Sequence, residues 1–192
     1  MPFEVENKFA VADLSEVQRR LESMGARMHG IEVHVDSYFN HPQRDFRRTD
    51  EALRIREIDD SVQITFKGPR IDSDIKIREE LELSLDPSPG NGERAKELLQ
   101  RLGFRFVACV RKRRVIWELD PIPYSILICL DEVAELGTFV EIELIAASED
   151  LARAKKIVLD LQAELGLNEP LKSSYLRMLL SRTSAVDDNE PR

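Results

Sequence analysis

Polar and apolar residues alternate along FEVENKFAV, residues 3–11. Glu4, Glu6 and Lys8 fall on one face and Phe3, Val5, Phe9 and Val11 on the other, with Asn7 the one interruption. A period of two predicts a β-strand. The spacing then becomes helical: Asp13 stands at an N-cap position, and Leu14, Val17, Leu21 and Met24 recur every three or four residues up to Gly25. Four β-rich runs follow: VHVDSYFN (33–40), EALRIREID (51–59), VQITFKGP (62–69) and DIKIREELELSL (74–85). The loop DPSPGNG leads into a second helix, ERAKELLQRLG (93–103), with Leu98, Leu99 and Leu102 on its apolar side.

Three more strands are predicted over FVACVRKRRVIWEL (106–119), YSILICLDEV (124–133) and TFVEIELIA (138–146), the last two joined by a tight turn at AELG. A helix capped by Ser148 runs through SEDLARAKKIVLDLQAELG (148–166), and a shorter one through KSSYLRMLLSR (172–182). Residues 1–182 read as one domain and 183–192 as a disordered tail. Many strands in hairpin order with few helices indicate an α+β fold built on one antiparallel sheet or barrel.

The chain has 192 residues, enough for a real core, with 33% charged residues and a net charge of −8. That balance argues against general nucleic-acid binding while allowing a local cationic cavity. Cys109 and Cys129 lack CxxC spacing and read as reduced thiols, and His29, His34 and His41 lack the short spacings of a zinc site. No apolar run approaches the ~20 residues of a membrane span, so the expected protein is cytoplasmic, without a membrane partner. A homodimer is compatible with the sequence.

The later strands repeat the charged face of the first. Lys8, Arg54, Arg56, Lys67, Arg78, Lys112 and Arg114 lie on alternating faces, as do Glu4, Glu6, Glu80, Glu82, Asp131, Glu141 and Glu143. In a single strand such a face ordinarily meets water. Here arginine dominates, and the runs are one-signed: EVE and EIE acidic, RIR and KRR basic. If the sheet closes, apolar faces pack outward on helices and the charges line a central tunnel. Carboxylates in such a tunnel suit Mg²⁺ or Mn²⁺, and arginine forks suit phosphate oxygens, which points to a compact polyanion such as a triphosphate.

EVENK resembles the ExExK motif that opens CYTH domains, the triphosphate tunnel metalloenzymes. DSYFN, LRIRE, TFKGP, REELEL, KRRVIW, LDEVAELGTFVEIE and KSSYLRMLL extend the resemblance from Phe3 to about Leu180, and DSYFN brings it nearest the class IV adenylate cyclase-like branch. The resemblance implies a closed eight-stranded antiparallel barrel with a C-terminal plug helix. It implies Mg²⁺ or Mn²⁺ on Glu4, Glu6, Asp131, Glu141 and Glu143, with Glu80 and Glu82 as further tunnel acids. It implies triphosphate on Lys8, Arg54, Arg56, Lys67, Arg78, Lys112, Arg114 and Lys172, and a Tyr38–Lys67 pair near the chemistry. The activity it implies converts ATP to cyclic AMP and pyrophosphate. Alternatives are hydrolysis of inorganic, nucleoside or thiamine triphosphate, and a non-catalytic polyphosphate- or nucleotide-binding module. A binding module can lose acids, and none of the motif set is missing here. Ala52 stands where thiamine triphosphatases carry a stacking Trp, and Trp117, on the apolar face of its strand, is expected to pack on a helix rather than hold a head group.

Overall fold

The computed structural model describes residues 3–72, 75–120 and 124–187, with side chains as far as Thr183. Its strands are β1 (Phe3–Ala10), β2 (Arg27–Asn40), β3 (Ala52–Ile58), β4 (Ser61–Lys67), β5 (Lys76–Leu85), β6 (Arg105–Leu119), β7 (Ile126–Val133) and β8 (Gly137–Ala146). The helices are α1 (Leu14–Ser23), α2 (Phe46–Thr49), α3 (Asn91–Arg101), α4 (Leu151–Glu164) and α5 (Tyr175–Asp187). All strand pairs are antiparallel in the order β1-β5-β4-β3-β2-β6-β7-β8, and β8 pairs with β1 to close the barrel. The expected α+β barrel is the fold found.

Period-two patterning decides which face points where. Val5 and Phe9 of β1, Ile128 and Leu130 of β7, and Val140, Ile142 and Leu144 of β8 point outward and are buried under α1 and α4. Trp117 lies in this outer layer, as its apolar face predicts. Asn7 interrupts the pattern because its Nδ2 donates to Gln162 Oε1 of α4 at 2.9 Å, so the amide is satisfied at the helix–sheet contact. A second layer joins Phe39, Leu53 and Ile55 to Phe46 of α2 and Ala95 of α3. The third sits at one end of the barrel, where Tyr175 and Leu179 of α5 pack on Val110, Val133 and Phe139.

Several local expectations change. Strand β2 begins at Arg27, because it pairs with the long β6 across a register shift between Met28 and Gly30. Helix α2 appears unannounced at FRRT, capped by Asp45 Oδ1, which accepts from the Arg47 amide at 3.1 Å. Leu98 of α3 and Leu102 at its C-cap are 56% and 62% exposed, since the helix turns Gly92, Ala95 and Leu99 toward the sheet. Leu81 and Leu83 on the outer face of β5 are likewise open, at 62% and 57% exposure. Ser148 opens a single 3-10 turn, and α4 starts only at Leu151. Helix α5 continues to Asp187, past the boundary expected at 182, and residues 188–192 of the expected tail lie outside the described residues. Both cysteines are free thiols. Among the described residues no helix is long and apolar enough to cross a membrane.

Candidate active site

The barrel encloses a cavity of about 1200 Å³. Closure turns one face of every strand inward, so the alternating charges of separate hairpins converge. Glu4, Glu6 and Lys8 line the cavity from β1, Arg54 and Arg56 from β3, Lys67 from β4, and Arg78, Glu80 and Glu82 from β5. Lys112 and Arg114 come from β6, Glu141 and Glu143 from β8, Tyr38 from β2, and Lys172 from the segment before α5. Glu82 is exposed toward the mouth. Asp131 alone among the expected residues does not reach the cavity. It is fully buried behind it and accepts from Lys112 Nζ at 2.9 Å, from Arg114 Nε and Nη2 at 2.7 Å each, and from Tyr175 OH at 2.9 Å.

The lining charges are held by each other. Lys67 Nζ lies 2.6 Å from Glu4 Oε2 and 2.9 Å from Glu80 Oε2. Lys8 Nζ is 2.8 Å from Glu141 Oε1, and Lys76 Nζ is 2.9 Å from Glu6 Oε1. Arg114 also bonds Glu141. Arg56 grips Asp36 with Nε and Nη2, both at 2.7 Å, while Arg54 donates to Thr65 Oγ1 at 3.2 Å. The Arg56–Asp36 and Arg114–Asp131 forks are bidentate and charge-assisted, the geometry that phosphate oxygens would also satisfy.

Burial and pairing set the protonation states. Burial works against the charge on Lys67, but Glu4 and Glu80 outweigh it and raise its pKa. The same contest, with Glu141 and Glu6 as partners, raises Lys8. Burial would raise Glu6, yet Lys76 holds it down at about 2. Burial pushes the Tyr38 phenol up, so it keeps its proton. Glu143 differs: burial and the carboxylates Glu4, Glu141 and Glu6 lift it to about 7 against the pull of Arg114. His34, whose Nε2 lies 2.5 Å from Glu32 Oε2, is pushed down to about 2 by burial and by Arg56, so the imidazole is neutral.

Every lining acid offers carboxylate oxygen, the donor that hard Mg²⁺ or Mn²⁺ prefers. Among the described residues no cluster of acids, His and Cys is gathered ready for a metal, because lysines hold Glu4, Glu6 and Glu141. The raised pKa of Glu143 marks a surplus of negative charge that a divalent cation would relieve. The donor set fits such an ion.

Sequence reasoning passed over Asp36 and Lys76, although both carry the alternation signal, Asp36 on the face of Tyr38 and Lys76 on that of Arg78. It also missed Tyr175, whose place in the pattern is no different from that of any aromatic packed at the start of a helix. The rim residues Arg47 of α2 and Leu176, Arg177 and Leu180 of α5 line the same cavity. No periodicity links them to the strands, and only the docking of α2 and α5 brings them there.

Residues 2–175 match the CYTH domain family. A candidate adenylate cyclase of Methanocaldococcus jannaschii is 39% identical over 140 residues, covering 73% of this chain and 75% of that protein. The adenylate cyclase CyaB of Aeromonas hydrophila is 27% identical over 193 residues, covering 98% and 94%. A solved protein structure from Pyrococcus horikoshii superposes with a TM-score of 0.81 at 35% identity, covering 93% of this chain and 99% of that one. The match takes in the whole barrel and reaches the first residue of α5, and so this chain belongs to the CYTH domain family.

Proposed function

We propose that this protein is a divalent-metal-dependent enzyme that acts on a triphosphate inside its barrel, converting ATP to cyclic AMP and pyrophosphate. The observation that carries the reading is the cavity wall itself: lysines and arginines of β3, β4 and β6 face the acids of β1 and β8 across one enclosed space. The named relatives, both adenylate cyclases by name, support it. On this reading Arg54, Arg56, Lys112, Arg114, Lys8 and Lys67 exchange their carboxylate partners for phosphate oxygens and Arg78 joins them, with Lys172 near the mouth. Glu4, Glu6, Glu141 and Glu143 would hold Mg²⁺ or Mn²⁺, with Asp131 behind them. The metal, when bound, neutralises phosphate charge and makes phosphorus more electrophilic. The cations stabilise the negative charge that grows on the displaced oxygens. Tyr38, a neutral phenol beside Lys67, is a hydrogen-bond donor within this set. In cyclisation the ribose 3′-hydroxyl attacks the α-phosphorus and pyrophosphate leaves.

A second reading is hydrolysis of the terminal phosphate, favoured by Ala52, which lines the cavity where a stacking aromatic would hold a ring. ATP, inorganic triphosphate and thiamine triphosphate are incubated separately with Mg²⁺ or Mn²⁺ and the products resolved. Cyclic AMP with pyrophosphate bears out the first reading, and orthophosphate alone the second. Tight binding without turnover would leave a binding module and overturn both.

A further inference from the structure

We infer that Tyr175 is a positioning residue of the tunnel: its hydroxyl holds Asp131 and its ring holds Lys8, so α5 sets the geometry of Lys8, Lys112 and Arg114. The inference rests on the triphosphate reading and adds a residue outside the charged strand faces.

Tyr175 is the first residue of α5 and is only 6% exposed, with its ring edge-on to Phe139 at 5.0 Å between centroids. A buried aromatic at that place needs nothing beyond packing. Its polar contacts go further. The hydroxyl donates to Asp131 Oδ2 at 2.9 Å, and Lys8 Nζ stands 3.6 Å from the ring centroid, with Lys112 Nζ at 5.2 Å. The ring face attracts an ammonium through its quadrupole. The backbone repeats the link, since the Leu171 amide donates to the Lys8 carbonyl at 2.7 Å. Arg70 Nη1 adds a bond to the Lys172 carbonyl at 3.2 Å while its other nitrogens clamp Asp50. The entry to α5 is thus pinned to β1, to the end of α2 and to the carboxylate that holds Lys112 and Arg114.

This arrangement matters when a polyanion enters. Lys112 and Arg114 then turn donors away from Asp131, which is fully buried. A buried carboxylate stripped of partners is strongly disfavoured. Tyr175 OH stays on Asp131 through the exchange, because a neutral phenol is a weaker partner for phosphate than the cations are. Burial and the nearby Glu141 and Asp131 keep that phenol protonated and therefore a donor. The helix carrying the tyrosine thereby lowers the penalty for giving two cations to the ligand, and its ring keeps a third aimed inward.

Inorganic triphosphate is titrated calorimetrically, with and without Mg²⁺, into wild type, Tyr175→Phe, Tyr175→Leu, Asp131→Asn and the Tyr175→Phe/Asp131→Asn double variant, with melting curves for each. Tyr175→Phe keeps the ring and its packing and loses only the donor, so its Kd should rise about tenfold with little change in melting temperature. Tyr175→Leu should weaken binding further, having lost the support of Lys8 as well. In the Asp131→Asn background Tyr175→Phe should add no more than about twofold, because the hydroxyl acts through Asp131. If Asp131→Asn does not fold, the stepwise loss from wild type to Phe to Leu decides the matter alone. A Kd unchanged in Tyr175→Phe, or an equal factor in both backgrounds, overturns the inference. Wild type that binds no triphosphate overturns instead the reading on which it rests, and is told apart by that.

Discussion

Lys67 and Glu4 meet across the interior of the barrel, Nζ to Oε2 at 2.6 Å, although β5 lies between their strands β4 and β1. Such a pair joins residues two strands apart, reaching over the inner face of β5, which pairs with both. It also joins a cation proposed for phosphate to a carboxylate proposed for metal, so both must separate when the ligand arrives. Replacing Lys67 by Met leaves Glu4 and Glu80 without their shared ammonium and removes one charge-assisted bond to phosphate. Triphosphate affinity should fall roughly 10- to 100-fold, the equivalent of about 1.5–3 kcal/mol. Calorimetric titration checks it, and undiminished affinity would remove Lys67 from the site.

Triphosphate should stabilise the fold. A ligand that binds only the folded state adds about 2.7 kcal/mol at a hundredfold excess over its Kd. Relief of repulsion among the tunnel cations acts in the same direction. The melting temperature should therefore climb with inorganic triphosphate concentration, and a flat response would contradict the cavity as its site.

Glu143 gives stability a pH dependence of defined sign. The folded carboxyl holds its proton to about pH 7, whereas the unfolded one releases it near 4.5. Between those values the folded state binds more protons, so stability falls as pH rises through the window, by about 3 kcal/mol at most for this group. Glu6, held at about 2, acts oppositely and below that window. Denaturant melts of wild type and Glu143→Gln between pH 5 and 8 should show the decline only in wild type. Mg²⁺ should flatten it, and a variant with the wild-type slope would refute this assignment.

Inward and outward faces should separate function from stability. Ile142→Ala empties a fully buried site under α4 and should cost about 2–5 kcal/mol while kcat stays near wild type. Arg78→Met on the inner face should do the reverse, cutting kcat/KM at least tenfold with a smaller change in stability, because among the described residues this half-buried cation leaves no buried carboxylate behind. Activity lost in proportion to stability in both variants would argue against a tunnel site.

Head-group preference should be set at the rim. Leu176 lines the cavity from α5, so Leu176→Asp should raise the KM for ATP about tenfold by removing apolar contact of roughly 1–3 kcal/mol. The KM for inorganic triphosphate, which has no head group, should move less than about twofold by the same reasoning. Equal shifts for both substrates would move the head group elsewhere.

Strand by strand, the sequence determined which residues share a face. Alternation placed Arg54 with Arg56, Glu141 with Glu143 and Glu4 with Glu6 and Lys8, and it put Val140, Ile142 and Trp117 on the opposite side. That much is local, because a strand sends successive side chains to opposite faces whatever its neighbours are. The ordered motifs added the closed barrel and the residue types a polyanion would need. Tertiary structure alone decided who pairs with whom. Asp131 shares the alternation of the other acids, yet the partners that reach it from β6 and α5 bury it behind the cavity. Lys67 finds Glu4 only because β5 pairs with both of their strands. Leu98 and Leu81 have apolar patterns, but whether such a face is covered depends on where a helix docks, and among the described residues none covers them. Tyr175 joins the tunnel because packing of α5 on Val133 and Phe139 aims its hydroxyl at Asp131. Contacts between residues 44 or 63 positions apart follow from the packing of whole elements, and a period of two or three and a half residues carries no information about them.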